Sequence, residues 1–142
     1  MKFDWNSFGI DPGFSVDCHT ISQVQKLLGV AFPDSFLDLV KYSDEATPEI
    51  SSFSYGDEGT CISEFFSFSP DVTPYTISWY LGAGKPPGLP QEMVPVAREA
   101  GGYLVCLNFQ TASITVEIFD PSSGKAYLVA SNFDEFVSSW SE

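Results

Sequence analysis

Residues Thr20 to Tyr42, TISQVQKLLGVAFPDSFLDLVKY, encode two short helices and the corner between them. Thr20 is the expected cap of the first helix, and Gln23, three residues on, completes a capping-box pattern. Ile21, Val24, Leu27 and Leu28 recur at helical spacing and form one apolar face. Gly29 stands where a helix ends in the left-handed conformation. Pro33 suits the first turn of a second helix, where an N–H has no partner to lose, and Asp34 puts a carboxylate at the positive end of that helix dipole. Phe36, Leu37 and Val40 continue the apolar face. The stretch is scaffold and holds no set of groups suited to catalysis.

Toward the N-terminus, residues Met1 to Val16 read as a lead-in, with turn chemistry at Asp11, Pro12 and Gly13. Beyond the helix pair, Ser43 to Glu49 is a polar loop. Ile50 to Tyr55 and Thr60 to Phe68 are rich in β-branched and aromatic residues and read as a hairpin around Gly56-Asp57-Glu58-Gly59, a connection longer than the tightest type. Tyr75 to Leu81 fits a short helix or a strand, and Lys85 to Pro90 reads as a stiff, extended link. A meander follows. Val94 and Val96 alternate with their neighbours, Gly101-Gly102 turns, and Tyr103 to Asn108 is apolar like a central strand. Thr111 to Ser113 turns again, Ile114 to Phe119 alternates, Asp120 to Gly124 loops, and Ala126 to Ala130 closes the set. Strands joined by such short loops pair antiparallel, because parallel pairing needs a long crossover. Asn132 and Glu135 then open a final helix, with Phe133, Phe136, Val137 and Trp140 on its apolar face. The expected fold is α+β: an antiparallel β-sheet meander with an N-terminal helix pair and a C-terminal helix packed on it.

A chain of 142 residues suits one domain, expected over 1–142, and can bury roughly 70% of its unfolded surface. Its 19 acidic side chains against 6 basic ones give a net charge of -13. That balance repels nucleic acid and anionic membranes and attracts a basic protein partner; the plainer use of such acidity is solubility. The 3 cysteines, Cys18, Cys61 and Cys106, do not form a disulfide framework. No run has signal-peptide or membrane-span character. The expectation is a soluble protein of a reducing cytoplasm.

Groups for catalysis are scarce. His19 beside Cys18 precedes a helix, and sequence neighbours rarely meet as base and nucleophile. Metal-ligand spacing is missing, and no cofactor is implied. Gly82-Ala83-Gly84-Lys85 falls short of a phosphate loop, which needs Gly where Trp79 stands and Ser or Thr where Pro86 stands. Gly101-Gly102 is a strand-to-strand turn before it is an anion cradle. Pro87-Gly88-Leu89-Pro90 matches PxxP formally and reads better as a linker.

The acidic residues are placed more informatively. No basic residue occurs between Lys41 and Lys85, and Asp44, Glu45, Glu49, Asp57, Glu58, Glu64 and Asp71 fall in that gap. If the loop after the second helix adjoins the hairpin turn, Asp44, Glu45, Glu49, Asp57, Glu58 and Glu64 make one negative partner-binding surface; a solvated face is the alternative. Phe53, Tyr55 or Trp79, where exposed nearby, would serve as anchors.

Three anchors carry a family resemblance: Ile21-x-x-Val24-x-x-x-Leu28-Gly29-x-x-Phe32-Pro33-x-x-Phe36-x-x-Leu39; then Val94-Pro95-Val96-Ala97 with Gly101-Gly102-Tyr103-Leu104-Val105-Cys106-Leu107; and Ala130-Ser131-Asn132-Phe133-Asp134-Glu135-Phe136. In this order and spacing they resemble the SUKH superfamily, which contains the SMI/KNR cell-wall regulators of fungi and many bacterial immunity proteins. The resemblance runs from Ile21 to Trp140, with a recognisable core over 21–140. The chain departs from it at Gln25, where Glu is frequent, at Ser43-Asp44-Glu45, where an Asn-Gly-Gly type of turn is frequent, and at Asn108, where the strand often ends in Asp. The resemblance implies binding and not catalysis. Bacterial members commonly neutralise a cognate toxin, often a nuclease, whose basic surface an acidic inhibitor can occupy with the help of electrostatic steering. Fungal members act as regulatory interaction proteins. Immunity protein is thus the first expectation, regulatory scaffold the second, and a small-molecule enzyme with an unrecognised site the third.

Overall fold

A computed structural model describes residues 2–110 and 112–142. After a 3₁₀ turn at Trp5–Phe8, helices α1 (Cys18–Leu28) and α2 (Asp34–Tyr42) precede strands β1 (Ser52–Tyr55) and β2 (Glu58–Phe65). A short helix α3 (Ile77–Tyr80) leads to β3 (Met93–Glu99), β4 (Leu104–Asn108), β5 (Thr115–Asp120) and β6 (Lys125–Ala130), and α4 (Phe133–Ser138) follows. The strands form one six-stranded sheet in the order β1-β2-β3-β4-β5-β6, every neighbouring pair antiparallel. The α+β meander with helices before and after it is therefore the fold. Thr111, the first residue of the expected turn at 111–113, lies outside the described residues.

The helix corner holds together as expected, with its start moved. Asp17, not Thr20, caps α1: its carboxylate accepts from the Thr20 N–H at 2.8 Å, so the helix begins a turn earlier. Gly29 ends it at φ 70. Pro33 is the residue just before α2, and its C=O accepts from the Leu37 N–H at 3.0 Å. Gln25 bridges the corner, its Oε1 accepting from the Phe32 N–H at 2.8 Å. An amide oxygen does this without the charge that Glu would bring beside half-buried backbone. Leu27 does not join the apolar face; it is 59% exposed, while Ile21 and Val24 are buried.

Aromatic rings make the core continuous. Phe36 lies 5.2 Å from Phe32, 5.4 Å edge-on from Phe133 and 6.2 Å from Phe68. Phe53, Phe65 and Trp140 extend the cluster around Phe136 and Phe133. The lead-in belongs to this core, since Trp5, Ile10 and Val16 are buried and Phe8 meets Trp140 at 5.3 Å. β3 and β4 are buried along nearly their whole length; because successive strand residues point to opposite faces, both faces there are covered. Pro95 is tolerated in a central strand because β2 pairs only with Ala97, Arg98 and Glu99 of β3, leaving no ladder bond for the missing N–H to break on that side.

The least readable segment resolves into helix at Ile77–Tyr80, capped by Thr76, whose hydroxyl accepts from the Trp79 N–H at 3.1 Å. Lys85 to Pro90 is not uniformly extended: the Leu89 N–H bonds the Pro86 C=O at 3.3 Å, and Leu89 is buried. Gly84 is explained by packing, since a β carbon there would sit 2.3 Å from the Trp79 ring.

Asn132 caps α4 by accepting from the Glu135 N–H at 2.8 Å. Asn132→Ala is expected to cost about 1 kcal/mol, as cap removal does, measured by urea unfolding. A cost near zero would mean that packing of Phe133 and Phe136 alone sets this helix start.

Candidate functional site

The hairpin tip is tighter than its sequence suggests. Tyr55 pairs directly with Glu58, which leaves Gly56 and Asp57 as the two turn residues. Gly56 has φ 57, and a glycine of positive φ at the first position is what a type II′ turn requires. Asp57 and Glu58 are thereby thrust outward, and both are exposed.

Beside the tip, the β3–β4 turn and strand β6 complete a recess of about 610 Å³ lined by Tyr55, Asp57, Glu58, Glu99, Tyr103 and Tyr127 along with Gly56 and Gly101. Glu99 ends β3 and is only 3% exposed. Its carboxylate accepts from the Tyr103 N–H at 2.7 Å and from the Thr60 hydroxyl, which fixes it from two sides. Gly101 makes room for it, since a β carbon there would lie 2.9 Å from Glu99 Oε1. Gly102 supplies the turn with φ 94. The Gly101-Gly102 pair is thus a turn wrapped around a buried carboxylate, not an anion cradle.

Tyr55 and Tyr127 stand 5.9 Å apart with their rings tilted by 40°. Burial, then the charges of Glu99 and Glu58, push the Tyr55 phenol above its ordinary value. The Asp120 carboxylate does the same to Tyr103.

Asp120 sits at the end of β5, and its carboxylate accepts from the Ser122 hydroxyl at 2.6 Å, the Ser123 hydroxyl at 2.8 Å and the Ser122 N–H at 2.9 Å. The two hydroxyls first, with the backbone N–H groups assisting, lower its pKa from 3.8 to about 2. A carboxylate depressed in the folded state contributes stability that is fully present above its unfolded pKa and is lost as pH falls through the folded one. Stability is therefore expected to drop between 3.8 and about 2, and Asp120→Asn to flatten that part of the profile in urea unfolding. An unchanged profile would contradict the assignment.

The remaining expected partner-binding residues lie elsewhere. Asp44 turns inward: it accepts from the Phe68 N–H at 2.9 Å and the Ser67 hydroxyl at 3.3 Å, and burial pushes its carboxyl up despite them. Glu64 is half-buried and pairs with Arg98 at 2.6 Å across the β2–β3 ladder. Glu45 and Glu49 are exposed and line a separate recess with Asp11. That recess is at the opposite end of the β1–β2 ribbon, where the Ala46 C=O accepts from the Phe65 N–H. The two loops are not neighbours, so the six carboxylates do not form one surface. Asp57 and Glu58 instead line one recess with Glu99, which the sequence alone did not single out. Among the suggested anchors, Phe53 is buried in the core, Trp79 packs on Gly84, and Tyr55 alone stands at the acidic tip.

His19 and Cys18 are exposed in the first turn of α1. Among the described residues no group of His, Cys, Asp and Glu is arranged to hold a metal ion, and no helix is long and apolar enough to cross a membrane. The model of the SMI1 / KNR4 family (SUKH-1) matches residues 15–139. No curated protein matches the chain.

Proposed function

Since the chain belongs to the SMI1 / KNR4 family (SUKH-1), we propose that it is a non-catalytic protein-binding domain, and specifically an immunity protein that blocks a basic toxin. The observation that carries this reading is the acidic, tyrosine-lined hairpin tip, on a chain whose net charge is -13. Such a surface suits a partner that is itself basic, as a nuclease is on the face it holds for its substrate. Opposite potentials speed encounter and penalise wrong partners. The tyrosines around the carboxylates, Tyr55 and Tyr103 half-buried and Tyr127 exposed, offer contact area that a merely solvated acidic loop lacks.

The trial is co-expression with a toxin encoded beside the gene. Rescued growth together with a recoverable complex is the expected result, and absence of both would overturn the reading. A regulatory scaffold is the second reading, favoured by the same family membership; it predicts endogenous partners in a pull-down and no toxin.

A further inference from the structure

The geometry points to the recess between the hairpin tip and β6 as the seat of a cationic side chain, arginine or lysine, presented by the protein partner. The inference rests on the binding role proposed above and gives it a location. A recess of about 610 Å³ has ample room for a guanidinium or ammonium head and the end of its stem.

Its walls and floor select the occupant. Tyr55, Tyr103 and Tyr127 supply aromatic surface, and cations are attracted to ring faces within about 6 Å of the centroid. Tyr55 and Tyr127, 5.9 Å apart, are in contact with each other, so a cation rests against the pair and not between its members. Glu99 is held rigidly by Tyr103 and Thr60, and Asp57 and Glu58 form the exposed rim. An apolar side chain would strip water from these carboxylates without compensation, and an anion would be repelled. Lys125 faces Asp120 across the β5–β6 ladder but does not line the recess, so it leaves the site open. The outer side of the site is β6, where Tyr127 is 42% exposed. A terminal strand with an exposed aromatic at the rim can carry part of the partner's contact.

The test is an NMR titration of the ¹⁵N-labelled chain with three capped tripeptides, acetyl-Gly-X-Gly-amide, where X is arginine, lysine or the neutral arginine analogue citrulline. Saturable shifts are expected for the amides of Tyr55 to Glu58, Gly101 to Tyr103 and Tyr127 with one or both cationic peptides. The neutral peptide should produce at least fivefold smaller shifts. Tyr127→Ala and, separately, Asp57→Asn with Glu58→Gln should each weaken the cationic response at least threefold while leaving the remaining spectrum in place. The two variants are independent, so a folding defect in one leaves the other informative.

Equal response to citrulline, or no localised response to either cation, would overturn the inference. So would tighter binding of free spermidine than of the cationic peptides, which would assign the recess to a small-molecule cation. Rescue and complex formation in the co-expression trial do not depend on these probes. A working immunity protein with an unresponsive recess would therefore refute the seat alone, whereas a responsive recess without toxin binding would refute the toxin reading alone.

Discussion

Phe36→Ala is expected to lower unfolding stability by about 3–5 kcal/mol, the cost of truncating a fully buried aromatic. Phe36 is 1% exposed and touches rings from four parts of the chain: Phe32 in the helix corner, Phe65 in β2, Phe68 beyond it, and Phe133 in α4. Collapse around the missing ring would require the corner, the sheet and the C-terminal helix to move together. The cavity should therefore persist, and the loss should fall in the upper part of the range. Domains of this size have only about 5–15 kcal/mol in total, so the variant should unfold at markedly lower urea. A loss below about 1 kcal/mol would contradict the role of Phe36 as the hub joining helices to sheet.

Asp57→Lys with Glu58→Lys should act on binding and leave the fold alone. Both residues are exposed at the tip of a two-residue turn set by Gly56. Exposed changes of this kind alter stability by about 0.5 kcal/mol or less. Association with a basic partner should slow about tenfold or more at low salt, because long-range attraction accelerates encounter. The difference should shrink in about 1 M salt, where the Debye length falls to about 3 Å. Stopped-flow association at two salt concentrations measures both effects. Reversal at Glu45 and Glu49 is the internal control: these residues line a different recess and should matter less. Equal effects from both pairs would mean that net charge, not the tip, drives encounter.

The sequence disclosed the scaffold more readily than the site, for physical reasons. Caps, periodicity and turn chemistry are local, so the positive-φ Gly29, the antiparallel meander and the Asn132 cap could be read directly. Two local signals compete at the start of α1: Thr20 and Gln23 mimic a capping box, yet Asp17 offers a charged acceptor to the Thr20 N–H three residues on. The recess depends on contacts between residues far apart in sequence. Tyr55, Glu99, Tyr103 and Tyr127 meet because the β1–β2 and β3–β4 turns and the start of β6 gather at one end of the sheet, and no spacing rule encodes that. Glu99 was especially hidden. A lone Glu before Ala100-Gly101-Gly102 looks like a solvated turn residue, and only Thr60, thirty-nine positions away, reveals it as buried. Asp44 misled in the opposite sense, being a loop carboxylate that the fold uses as a backbone acceptor for Phe68.

We propose that this chain is an acidic binder of a basic protein. Calorimetric titration of the purified chain against the protein encoded beside its gene, at low and high salt, tests that role. A stoichiometric complex that weakens with salt and with reversal of Asp57 and Glu58 is the predicted result. No heat of binding at either salt concentration, or a complex indifferent to both salt and those charges, would contradict it.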